Sequence, residues 1–167
     1  MRNLLLFIAV TLIATAAAGQ MGGMQPVVAS DGTVLVQRPA LGLVAVSPAG
    51  VTRWTWDAGI AMHSITVSAE RVLVVDNSAR QGTPPMMGRG PATTSQEIVA
   101  LSLATGAVQW RRDVAGMVSG ITPAGDRLYV VTVSAGAIMH RGAGSGATTL
   151  LALDAASGVV LWSIELR

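Results

Sequence analysis

The chain has 167 residues, 51% of them hydrophobic and 12% charged, which is enough for one sizeable core and too apolar for a disordered segment. Eleven Arg stand against nine Asp and Glu, with no Lys and no basic run, so the net charge of +2 gives no electrostatic basis for binding nucleic acid. The absence of Cys excludes disulfides, zinc–cysteine sites, thiol catalysis and acylation of an N-terminal cysteine.

The first element is a targeting segment. Met1-Arg2-Asn3 is a short positive region, Leu4 to Ile13 is an apolar run, and Ala16-Ala17-Ala18 fits a small-x-small cleavage site. The apolar stretch is short for a spanning helix, which needs about 20 residues. The pattern predicts a signal peptide over residues 1–18 and a mature chain over 19–167 with no integral membrane span; an uncleaved anchor is the alternative. The expected location is periplasmic or secreted, with no cysteine for lipid attachment.

The mature chain then repeats one unit three times. In the first, Val27 to Val36 reads as two short strands around Ser30-Asp31-Gly32. Leu43 to Val46 is a third strand, and a turn ending in Gly50 leads to a fourth that carries Trp54. The second unit runs from Ile65 through Val75, then from Ile98 through a turn at Gly106 to Trp110. The third runs from Ile121 through Val131, then from Leu150 through Gly158 to Trp162. Gly precedes Trp by four residues in each, and the tryptophans lie 56 and 52 residues apart, close to the period of a four-stranded propeller blade. Several strands are apolar on consecutive residues, as in sheets covered on both faces. The predicted class is all-β: four-stranded antiparallel blades, three of them, at about 25–58, 64–114 and 120–166, in a partial or open propeller.

The third unit carries Ala152, Asp154, Ser157, Gly158 and Trp162, in the pattern Ala-x-Asp-x-x-Ser-Gly-x-x-x-Trp. This resembles the tryptophan-docking repeat of PQQ-like β-propellers, a family that includes quinoprotein alcohol dehydrogenases and non-enzymatic propellers such as the outer-membrane assembly lipoprotein. The second unit keeps Ala100, Thr105, Gly106 and Trp110 but has Ser102 at the acidic position. The first keeps Ala45, Gly50 and Trp54, has Ser47 there, and is one residue shorter. The resemblance implies that Trp54, Trp110 and Trp162 sit on the outer strand, each packed on the glycine turn (Gly50, Gly106 or Gly158) of a neighbouring blade.

Closed propellers have about four to eight blades, and an arc of three leaves two apolar faces uncovered. Self-association, docking on further propeller blades, and a fragment of a longer protein all answer this. The end of the chain directly after the third Trp strand points to the fragment.

In an antiparallel meander the short A–B and C–D turns share one end of each blade, and the B–C connections leave from the other. Those connections, Asn77 to Glu97 and Ser134 to Thr149, are long, and long loops on a rigid scaffold are where function is usually placed. They also repeat: Met87-Gly88-Arg89-Gly90 matches Met139-His140-Arg141-Gly142. Met87, Arg89, His140 and Arg141, with His63, are the candidate partner-binding residues, the arginines offering forked donors to a protein or peptide carboxylate. Inherited, solvated loops are the alternative.

Other signals weigh less. Met62-His63 and Met139-His140 pair soft and imidazole ligands, as copper would want, but lack metal-ligand spacing. Gly142 to Ala147 fits a dinucleotide fingerprint, yet a strand follows where a helix N-terminus is needed. Neither His lies in a nucleophile motif, and Asp76, Asp113 and Asp126 read as solvated acids at strand ends or turns. The quinoprotein resemblance would imply PQQ and calcium, but no segment matches that family's metal or base residues. The expectation is a non-catalytic binding or scaffolding module with no catalytic, cofactor or metal residues. The competing one is a truncated part of a PQQ-dependent quinoprotein dehydrogenase, with PQQ and calcium held only in the larger protein.

Overall fold

The computed structural model describes residues 26–38, 42–57, 62–76, 95–134 and 147–166. They form twelve strands: β1 (Val27–Val28), β2 (Val34–Arg38), β3 (Gly42–Val46), β4 (Thr52–Trp56), β5 (Met62–Val67), β6 (Arg71–Asp76), β7 (Ser95–Ser102), β8 (Val108–Ala115), β9 (Met117–Ala124), β10 (Arg127–Val133), β11 (Thr148–Asp154) and β12 (Val160–Leu166). These pair as three four-stranded antiparallel sheets in simple sequence order, β1–β4, β5–β8 and β9–β12. The described residues contain no helix, and the three blades do not close into a ring.

The repeat appears as one row of directly opposed residues across each sheet. The rows are Val27–Leu35–Ala45–Trp54, Thr66–Leu73–Ala100–Trp110 and Thr122–Tyr129–Ala152–Trp162. The register slips by one residue beside the Ala–Trp pair in every blade, so the same β-bulge recurs three times. The alanines are fully buried. Opposed side chains stand only about 5 Å apart, and a methyl group there leaves room for an indole to lie across the sheet.

Two apolar cores among the described residues lie between blades rather than within them. The first packs Leu35, Leu43, Ala45 and Trp54 of the first sheet against Val72, Val74, Val99 and Leu101 of the second. The second packs Leu73, Ile98, Ala100 and Trp110 against Leu128, Val130, Leu153 and Ala155 of the third. Hence β6 and β7 are buried on consecutive residues, whereas β10 alternates. Apolar runs without alternation mark the strands with a neighbour on both faces.

Strand β7 begins at Ser95, and β11 at Thr148, a few residues earlier than the loop spacing predicts. The long partner strand β8 supplies the extra ladder, pairing Ser95 with Ala115. A single residue, Gly116, turns β8 into β9. Its φ is +87°, and a Cβ there would lie 2.8 Å from the carbonyl oxygen of Val133, so both conformation and space call for glycine.

Candidate functional site

The best-defined side-chain arrangement is the joint between blades. Trp54, 8% exposed, lies over Gly106, and its Nε1 donates to the carbonyl of Leu103 at 2.8 Å. Trp110, equally buried, lies over Gly158 and donates to the carbonyl of Ala155 at 3.1 Å. A Cβ on either glycine would stand 2.6 Å from the indole Cε3. Both glycines have φ near +70° (72° and 69°), which most residues avoid. Each joint therefore places apolar area, a buried hydrogen bond and a close backbone approach in one spot.

The residue that opens each turn is fixed by turn chemistry. Asp154 accepts from the Ser157 N–H at 2.8 Å and from its hydroxyl at 2.6 Å. Ser102 accepts from the Thr105 N–H, and Ser47 from the Val51 N–H. The hydroxyl and backbone N–H of Ser157 hold the Asp154 carboxyl below the usual range, and the Thr33 N–H and hydroxyl, with Arg53, do the same for Asp31. The acidic position of the repeat is thus occupied by a turn-former.

The short turns are tied to one another within a blade. The Leu103 N–H donates to the Glu70 carbonyl, and the Ala155 N–H to the Asp126 carbonyl, each at a length a backbone pair would have in a sheet. In the first blade Pro48 has no N–H to give, and its ring instead lies 2.9 Å from where a Cβ on Gly32 would be. At the opposite end the chain leaves β6 at Asp76 and β10 at Val133 and returns at Ser95 and Thr148.

Met87, Arg89, His140 and Arg141 lie outside the described residues, as do residues 1–18. His63 falls on β5, beside a register shift between Met62 and Ser64. Trp162 occupies its place in the third row but is 36% exposed and meets Tyr129, with ring centroids 6.0 Å apart, instead of a glycine turn among the described residues. Gly50 keeps the left-handed φ of +80°, yet nothing lies within 4 Å of a Cβ built on it. Asp76, expected to be solvated, is buried at the end of β6, where a carboxyl needs polar company.

Sequence reasoning missed the polar ties that cross between blades. Gln37 donates to the carbonyl of Met62, and Gln96 accepts from the N–H of Val118, so each glutamine grips the first strand of the next sheet. Arg112 donates to the Gly158 carbonyl at 2.8 Å, beside the second joint. The one sequence signal is the position of Gln96, a polar residue beside the apolar run that begins at Ile98.

Among the described residues no three His, Cys, Asp or Glu side chains gather as metal ligands would, and no helix is long and apolar enough to cross a membrane.

Residues 81–167 match the family described as outer membrane protein assembly factor BamB. The chain belongs to that family. The crystal structure of BamB from Moraxella catarrhalis is similar with a TM-score of 0.52 and 18% identity, over 81% of this chain and 35% of that one. A europium-containing methanol dehydrogenase is similar with a TM-score of 0.55 and 14% identity, over 86% of this chain and 32% of that one. At these identities the likeness is one of fold, that of a PQQ-like propeller. The chain spans about a third of the length of either structure. No curated protein matches it in sequence.

Proposed function

We propose that this BamB-family chain is a non-catalytic, extracytoplasmic propeller segment. In this reading it binds a protein or peptide partner at the end of the blades that carries the connections from β6 to β7 and from β10 to β11. The observation that carries the reading is the difference between the two ends. One end is made of minimal turns, bonded to each other in the second and third blades. The other opens into connections of 18 residues (77–94) and 14 residues (134–147), which bear Arg89 and Arg141. The family description, which names outer-membrane protein assembly, supports both a protein partner and a place beyond the cytoplasm. The signal-peptide pattern of residues 1–18 supports the same place.

The fold likeness to a methanol dehydrogenase favours a second reading, a part of a quinoprotein dehydrogenase. A quinone cofactor and its cation would need free oxygen donors and a stacking ring. The described carboxylates Asp31 and Asp154 are engaged in turns, Glu97 pairs with Arg111 at 2.8 Å, and two indoles are locked in joints. These five groups are engaged within the blades, which supports the binding reading.

The test is affinity capture on the immobilised full chain from an extract of its source cells, with the double variant R89A/R141A run in parallel. The reading expects a discrete partner whose recovery falls at least about tenfold with the double variant, the loss of roughly two charge-assisted contacts. Unchanged recovery would remove the loop end from the account. Dye-linked alcohol oxidation after addition of PQQ and calcium would favour the second reading.

A further inference from the structure

We draw no further inference here: the strongest candidate, the apolar surface patch on the outward face of the last sheet, where Trp162 and Ile164 are open to solvent, carries nothing because nothing in the structure shows what covers it.

Discussion

Trp54 and Gly106 compete for one volume: a methyl group on Gly106 would stand 2.6 Å from the indole Cε3 of Trp54, although the two residues belong to different blades. The glycine is therefore required twice over, for its φ of +72° and for the absence of a side chain. Gly50 has the first requirement alone within one chain. G106A should then cost about 3 kcal/mol, combining left-handed strain with overpacking. G50A should cost only about 1 kcal/mol in the isolated chain, from the backbone alone. Urea unfolding of the two variants under identical conditions checks the difference.

Gln96 is buried and accepts from the N–H of Val118 at the start of the third sheet. Q96L keeps the volume and removes the acceptor, leaving a backbone donor without it. The expected loss is about 1–3 kcal/mol, read as a lower denaturation midpoint. Q37L removes the corresponding contact with the Met62 carbonyl at a less buried site. Its loss should be the smaller of the two.

Asp31 is held below the ordinary aspartate value first by the Thr33 N–H, then by the Thr33 hydroxyl and by Arg53 at 2.9 Å. A depressed folded-state value means that the unfolded chain takes up the proton first. The contribution is therefore complete above the ordinary aspartate value near 3.9 and lost as the pH falls through the folded value. D31N should flatten the acid limb of the stability curve below about pH 4 and leave its shape near neutrality unchanged. The group is exposed, so the effect is below about 1 kcal/mol. Melting temperatures from neutral to strongly acidic pH measure it.

Cleavage after Ala18 would leave Gly19 as the first residue of the chain. Expressed with its native N-terminus in a secreting bacterial host, the chain should be recovered outside the cytoplasm with Gly19 as its first residue, by intact mass and N-terminal sequencing. A product retaining Met1 and residing in the membrane fraction would mean an uncleaved anchor.

The blades were legible because their determinants are local and repeated. Glycine four residues before tryptophan fixes a turn and an outer strand, and consecutive apolar residues in β6 and β7 announced a sheet covered on both sides. Less was legible where one residue answers to a distant one. Gly42 looks like any loop glycine in sequence, yet its φ is +94° and a Cβ on it would collide with the backbone of Trp56. Asp76 sits at a strand end, where acids are ordinarily exposed, and is buried because the ladder continues through Glu97. The glutamines that bridge blades carry no spacing signal, since their partners are backbone groups that any residue would supply. Asp154 matched the repeat motif as an acid, and only its contacts with Ser157 assign it to the turn. The candidate residues Arg89 and Arg141 rest on a repeated loop motif, which says that two loops are related and nothing about what they touch.

The tryptophan–glycine joint couples one blade to the next. A double-mutant cycle on Trp54 and Gly106 tests it most directly, with Trp54→Leu chosen to keep an apolar side chain while removing the indole. If the joint is as described, G106A costs about 3 kcal/mol with Trp54 present but only about 1 kcal/mol in the W54L background, a coupling of about 2 kcal/mol. Equal costs of G106A in both backgrounds would contradict it, because the two residues would then act independently.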